Sequence, residues 1–386
     1  MMIAYNDTWL KNLQVCREAQ RAYTRDYISK TELENIRALF PTGFYSPNIF
    51  IRIGLFLLSF IIVLFSFGLI ALFIMDAIEK IWAVVALIVG FIVYGVLEMM
   101  VQQKNHYRSG VDDALMWSAA GFIFAGISNI THAGLVGNCL LAFLVSIYSV
   151  TRFADRSMAA AAFISVYGFF FFLFSTNITL TLILPFVLMS VSAIIYFILL
   201  KLKQYPTMAL YKDGVEMVTS LAVLSFYISG NYYVVRELGN ELLNTPTAAN
   251  EGIPFGWVFW IFTVAVPLIY LFRGIQIKDT LLIRSGLLLI AATVITIYFY
   301  FPLLPVEFLM AILGSILLGL AYLLTRYLST PKYGFIYTEV AVTSMSEKPQ
   351  IESLIIAETF SNGQIPGDAT KFGGGSFGGG GSTSDF

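Results

Sequence analysis

Few residues in this chain of 386 have the chemistry for catalysis or metal binding, and the total includes only two histidines and two cysteines. Ser128 and His132 lie four residues apart, a spacing at which a helix would place a serine nucleophile beside a general base. No third group follows to orient that base, and neither zinc-ligand spacing nor a phosphate-binding glycine loop occurs. Cys16 and Cys139 are too few for a disulfide framework. The sequence therefore predicts no enzyme activity, no cofactor and no metal.

Charged residues beside long apolar segments form a second group of candidates. Because a charge buried in lipid is costly, ionisable residues in or next to a membrane span are candidates for function. The acids at segment ends are Glu98, Glu216 and Glu307, and the neighbouring polar loops hold Arg108, Asp112 and Lys212. We expect these acids to reach lipid headgroups or to pair with cations such as Arg108, Lys212 or Arg284.

The elements that carry these residues are apolar segments of membrane length. Hydrophobic residues make up 58% of the chain and charged residues 12%, with a mean hydropathy of +0.78. Between residues 49 and 325, apolar runs of about 20 residues recur, the length that crosses a bilayer. A net charge of −1 disfavours nucleic acid as a partner, since phosphate binding needs a basic face. The composition predicts an all-α integral membrane protein with the lipid bilayer as its surroundings.

Charges and turn residues divide the apolar block into ten predicted spans. They cover residues 51–75, 81–101, 114–130, 133–151, 157–175, 182–200, 215–235, 255–272, 281–301 and 304–325. Cytosolic loops of membrane proteins are enriched in Lys and Arg. With the N-terminus in the cytosol, all of the 23 Lys and Arg residues except Lys80 and Arg236 fall on the cytosolic side. The charge pattern thus predicts ten spans with both termini in the cytosol.

A short motif recurs in two of the predicted cytosolic loops. Residues 107–112 read YRSGVD before the third span, and residues 211–216 read YKDGVE before the seventh. Four spans separate the copies, so the two units would run in the same direction through the membrane. We interpret spans 3–6 and 7–10 as a parallel tandem repeat behind spans 1 and 2. The alternative is chance similarity between short polar loops.

Residues 1–48 form a polar lead-in before the first span. The sequence predicts two short helices within residues 7–40, the second of which starts at a capping box of Ser29 and Glu32. Residues 27–36, YISKTELENI, resemble the lead-in of a group of uncharacterised bacterial multi-spanning membrane proteins. The resemblance implies a bacterial cytoplasmic membrane. The lead-in would be a cytosolic docking module or a solvated segment lying on the headgroups.

The polytopic domain, residues 49–325, is followed by a predicted cytosolic segment, residues 326–371, and then by a glycine-rich tail. Residues 372–386 read FGGGSFGGGGSTSDF, a composition that predicts disorder. The tail resembles the glycine-rich cytosolic ends of bacterial TPM-domain proteins and of proteins associated with LemA-type membrane proteins. Phe372, Phe377 and Phe386 would then be the residues that a protein partner binds. The alternative is a flexible low-complexity end.

Two functions remain open at this point. One is a scaffold or assembly protein without a catalytic site that acts through protein partners at its cytosolic ends. The other is a small-solute transporter or channel, favoured by ten spans and a tandem repeat and disfavoured by the lack of a charge at mid-membrane. The sequence indicates no particular solute, partner or oligomeric state.

Overall fold

A computed structural model of the protein describes residues 3–24, 26–73, 78–243 and 252–300, with scattered positions between 305 and 326. Within these residues the regular structure is helical, and one isolated bridge joins Tyr45 to His106. The helices are α1 (Asp7–Tyr23), α2 (Lys30–Leu39), α3 (Ile49–Phe73), α4 (Ile78–Gln102), α5 (Val111–Thr131), α6 (Leu135–Phe153), α7 (Arg156–Phe174), α8 (Ile178–Leu202), α9 (Lys212–Gly230), α10 (Tyr232–Leu243), α11 (Gly256–Ile277) and α12 (Thr280–Tyr300). A 3₁₀ helix, Pro206–Tyr211, precedes α9.

Eight of these helices are long and apolar enough to cross a membrane. They are α3 to α8, α11 and α12, and each matches one of the predicted spans to within a few residues. The prediction of a multi-pass helical membrane protein is therefore confirmed. Of the tenth predicted span, residues 304–325, the structure describes only eight scattered positions, so the span stays a prediction.

The seventh predicted span, residues 215–235, differs from the expected single helix. Helix α9 ends at Gly230, Asn231 adopts an extended conformation, and α10 leaves at an angle of 70° to the combined 3₁₀ and α9 segment. Side chains of α11 and α12 supply hydrogen bonds at this break, as described below. The hydropathy of residues 215–235 does not reveal such a break, because apolar residues lie on both sides of it.

Outward-facing apolar side chains distinguish this bundle from a water-soluble one. Helix α3 buries only Val63 completely, and the side chains of Phe65 and Phe73 are 71% and 90% exposed. Soluble proteins rarely present continuous apolar surfaces of this size to water. The outer surface of α3 is consistent with contact with lipid.

Helices α4 and α5 pack closely because small residues face each other between them. A Cβ atom on Gly126 would lie 2.8 Å from the carbonyl oxygen of Ala83. Small residues at such positions let membrane helices approach and gain van der Waals contact where no hydrophobic effect drives association. This pair forms the base on which the candidate site is built.

Two of the helical hairpins share the same connection. Between α6 and α7, Ala154 adopts the left-handed conformation and the Asp155 carboxylate accepts backbone N–H groups of α7. Between α11 and α12, Lys278 adopts the same conformation and the Asp279 carboxylate accepts the N–H of Leu281 at 2.9 Å. In both connections a left-handed residue ends one helix and an aspartate caps the next.

Candidate functional site on the lead-in face

The lead-in packs on one end of the helix bundle, which we call the lead-in face. The N–H of Ala4 donates to the carbonyl oxygen of Arg152 at 2.8 Å, at the end of α6. The amide nitrogen of Gln14 donates to the carbonyl oxygen of Ala209 at 2.9 Å, in the 3₁₀ helix before α9. The lead-in therefore joins the end of α6 to the 3₁₀ helix before α9. The lead-in is part of the folded body instead of a separate module.

An aromatic cluster holds the start of the lead-in. The ring of Tyr5 contacts the rings of Phe44, Tyr107 and Phe153, with centroids 6.1, 5.0 and 6.4 Å away. The Tyr5 hydroxyl donates to the Asp112 carboxylate at 3.4 Å. Burial raises the pKa of Tyr5 well above its ordinary value, with the nearby Asp112 charge as a second cause. Tyr5 is thus a neutral hydrogen-bond donor that anchors the lead-in.

Asp112, one of the predicted candidates, organises the turn before α5. Its carboxylate accepts the N–H groups of Arg108 at 2.7 Å and Ser109 at 2.8 Å, and the side chain is buried. Gly110 at this turn has φ +94°, and a Cβ atom there would lie 2.1 Å from the carbonyl oxygen of Arg52. Glycine is therefore required at position 110 for two reasons: the backbone has a positive φ, and no room is left for a side chain.

Ion pairs surround that turn. The Arg52 guanidinium bonds the Asp113 carboxylate at 2.5 and 3.0 Å, which joins α3 to α5. Arg108 meets Asp213 at 2.6 Å, and Arg17 of the lead-in meets the same carboxylate at 3.6 Å. Two guanidinium groups thus face one carboxylate where the two motif loops come together.

Glu98 has a different partner from the one expected. Its carboxylate binds the Arg152 guanidinium in a bidentate manner, at 2.7 and 2.8 Å, and also accepts from Tyr94 at 2.6 Å and Gln102 at 2.5 Å. None of the predicted cations, Arg108, Lys212 and Arg284, is among these partners. Glu98 thus joins α4 to α6 with its hydrogen bonds satisfied. No sequence pattern connects Glu98 to Arg152, which lies on another helix.

The second motif loop has another local structure. Gly214 lies within helix α9 and not in a left-handed turn, and Glu216 is exposed where Asp112 is buried. Lys212 is also exposed and shares a cavity with Glu216. Glu307 and the three tail residues Phe372, Phe377 and Phe386 lie outside the described residues.

The other chemistry-bearing residues do not combine into a reactive group in the described part of the chain. The Ser128 hydroxyl donates to the side-chain oxygen of Asn138 at 2.6 Å and forms no hydrogen bond with the His132 ring, whose backbone N–H donates to the carbonyl oxygens of Asn129 and Ser128. His106 Nδ1 lies 2.7 Å from the Ser109 hydroxyl oxygen. Burial lowers the pKa of His106, while the negative charge of Asp112 opposes this effect. His106 therefore contributes to the turn as a neutral ring.

A buried polar network lies at the break between α9 and α10, far from the lead-in face. The Asn231 amide nitrogen donates to the Tyr227 hydroxyl at 3.0 Å and to the Thr296 hydroxyl at 3.1 Å. The Thr263 hydroxyl accepts the N–H of Tyr232 at 2.9 Å, and the Thr293 hydroxyl lies 2.9 Å from the Tyr227 hydroxyl. The bond from the Tyr232 N–H replaces a helical backbone bond lost at the break, and the other bonds join the side chains of α9, the break and α12. The break was not predicted, although Gly230 and Asn231 are both poor helix formers and could have indicated it.

A small cavity lies against α10, the helix that follows the break. Its volume is about 90 Å³, and the side chains of Thr181, Arg236 and Asn240 contribute to its walls. Arg236 is buried, and its guanidinium lies 5.2 Å from the centre of the Tyr300 ring. By the predicted topology, this cavity is at the outer end of the bundle. It is the second candidate site.

Comparisons with protein-family models, with curated proteins and with solved structures found no match to the chain. The functional conclusions below therefore depend on the residues and contacts already described.

Proposed function

We propose that the protein is a non-enzymatic multi-pass membrane protein that binds protein partners at its lead-in face and tail. The observation that carries this proposal is the attachment of the lead-in to the ends of α5, α6 and the 3₁₀ helix before α9. A segment fixed in this way presents a preformed surface, so a partner need not order it on binding.

The exposed side of the lead-in offers apolar side chains to such a partner. Tyr27, which precedes α2, and Leu39, the last residue of α2, are 76% and 75% exposed. The glycine-rich tail would add Phe372, Phe377 and Phe386, in line with its resemblance to the ends of TPM-domain and LemA-associated proteins. Aromatic side chains are the usual sites of concentrated binding energy.

The proposal includes ten spans with both termini in the cytosol of a bacterial cell. The lead-in, the α4–α5 and α6–α7 connections and the 3₁₀ helix before α9 contact one another, as segments on one side of the membrane must. The bias of Lys and Arg toward these segments supports the cytosolic side.

A four-span repeat is also part of the proposal. Helix α3 packs on α5 as α7 packs on α9, and the α6–α7 and α11–α12 hairpins share their turn. These pairs are related by a shift of four spans, which supports the tandem arrangement. The unlike environments of Asp112 and Glu216 indicate that the motif copies have diverged in role.

The break at Asn231 favours transport as a second function. Transporters place their sites at interrupted helices, where polar groups near a cavity can bind solute. Here the interrupted helix and the cavity beside Arg236 lie close together. Reaction of a Thr181→Cys variant, whose side chain lies in the cavity wall, with a small charged thiosulfonate, in a background without Cys16 and Cys139, would support transport. A completely unreactive thiol would count against it.

Affinity purification from native membranes tests the main proposal. We expect removal of residues 372–386 to abolish recovery of a partner, and Phe386→Ala to remove much of it. Ser376→Ala with Thr383→Ala is the matched control, since it alters the tail without changing an aromatic residue. Unchanged partners after the truncation, with the protein still folded and inserted, would contradict recruitment by the tail.

A further inference from the structure

Two cavities on the lead-in face adjoin each other at Lys212. One has a volume of about 200 Å³ and lies between α1 and the 3₁₀ helix. The other, of about 400 Å³, lies between the end of α8 and the start of α9. Ala209 and Lys212 contribute to the walls of both. The second cavity also has Lys203, Tyr205 and Glu216 in its walls.

The charges around these cavities favour an anion. Lys203 and Lys212 are exposed, and neither forms an ion pair or side-chain hydrogen bond with another residue in the described part of the chain. Asp213 is already engaged by two arginines, at 2.6 and 3.6 Å. Among the described residues that form the wall of the larger cavity, Glu216 is the one acid. Two lysines thus oppose a single carboxylate.

The position of the larger cavity favours a membrane lipid. It lies between the end of α8 and the start of α9, two segments with the composition of membrane spans. Met208 and Val215 add apolar side chains to its wall. A phosphate held by the lysines would lie at the level of the lipid headgroups, so this position favours a membrane lipid over a soluble anion.

We infer that the larger cavity binds the phosphate group of an anionic phospholipid, with Lys203 and Lys212 as the cationic residues. Basic pockets between helix ends at the cytoplasmic surface are suited to acidic headgroups. The negative charge of Glu216 on the same wall lowers the affinity for any phosphate. We therefore expect binding of lipids with a net negative charge and not of zwitterionic lipids. The inference holds for a scaffold and for a transporter alike.

Native mass spectrometry of the full-length chain in neutral detergent tests the site, with phosphatidylglycerol and phosphatidylcholine as probes. We expect the parent protein to bind phosphatidylglycerol at least about tenfold more tightly than phosphatidylcholine. The Lys203→Gln, Lys212→Gln double variant should lose a similar factor in its affinity for phosphatidylglycerol. Glu216→Gln should change affinity in the opposite direction. Lys30→Gln with Lys104→Gln removes two exposed lysines outside the cavity and should leave binding unchanged.

Equal affinity for the two lipids, or equal losses in the two double variants, would overturn the site. If millimolar inorganic phosphate displaces the lipid completely, soluble phosphate is the ligand and the lipid assignment is wrong. Thermal unfolding without lipid checks that each variant is folded. If the cavity variant does not fold, the salt dependence of phosphatidylglycerol binding to the parent protein is measured instead. Binding to two exposed lysines must weaken as the sodium chloride concentration rises, and affinity that is independent of salt would overturn the site.

Discussion

Arg108 and Asp213, 105 residues apart in sequence, form an ion pair of 2.6 Å where the two motif loops meet. Arg17 of the lead-in reaches the same carboxylate at 3.6 Å. One acid thus connects the start of α9, the turn before α5 and the lead-in. The arrangement explains why the lead-in is fixed on the bundle.

Removing the shared carboxylate should loosen this junction. In Asp213→Asn, Arg17 and Arg108 face each other without a counter-charge. We expect the free energy of unfolding to fall by about 1–2 kcal/mol, a value between those of exposed and of buried ion pairs. Thermal unfolding of the purified protein measures it. A double-mutant cycle with Arg108→Gln should give a coupling energy of at least about 0.5 kcal/mol. Strict additivity would mean that the pair contributes nothing.

Gly110→Ala should be among the most destabilising single changes on the lead-in face. The backbone at this position has φ +94°, a conformation that residues with a side chain rarely adopt. The added methyl would also lie 2.1 Å from the Arg52 carbonyl oxygen, so the turn must move. We expect a loss of about 2 kcal/mol or more, or failure to accumulate in the membrane. Gly121→Ala is the control, because open space surrounds that position. Equal stability of the two variants would contradict the described turn.

Asn231→Ala should weaken the packing of α9 on α12. The substitution removes the bonds to Tyr227 and Thr296, and hydrogen bonds between membrane helices contribute about 0.6 to 1.7 kcal/mol each. Thermal unfolding should show a clear decrease, while the exposed Asn129→Ala serves as the control. An unchanged Asn231→Ala protein would mean that the network does not stabilise the break.

His106 should make stability fall at acidic pH. Its pKa in the folded protein is lowered by burial, so the unfolded chain takes up a proton more readily. Stability contributed by the neutral ring is therefore present above about pH 6.5 and declines as pH falls toward the folded pKa. His106→Gln should reduce this decline relative to the parent protein, while His132→Gln serves as the control. Unfolding curves between pH 5 and 8 that are parallel for parent and His106→Gln would exclude the effect.

The periodic and apolar features of the fold were predictable from the sequence. Runs of about 20 apolar residues predicted eight observed helices, and the Ser29 capping box predicted the start of α2. These features depend only on residues that are close in sequence. Hydropathy suffices to locate the spans, and residue types at fixed spacing locate the cap.

The site could be predicted only in part, because its partners are distant in sequence. Asp112 was identified as a candidate, but its role in the turn depends on Gly110 and Tyr5. The Glu98 partner, Arg152, is 54 residues away and lies on another helix. The break at Asn231 is stabilised by hydroxyls of α11 and α12, which no local pattern connects to it.

Orientation in the membrane decides whether the lead-in face can serve cytosolic partners, and cysteine labelling measures it. Arg156→Cys on the lead-in face and Gly239→Cys in α10, where the added side chain has open space, are placed singly in a background without Cys16 and Cys139. An impermeant maleimide applied to intact cells should label the position 239 variant and leave the position 156 variant unreacted until the membrane is opened. Labelling of the position 156 variant in intact cells would contradict a cytosolic lead-in face.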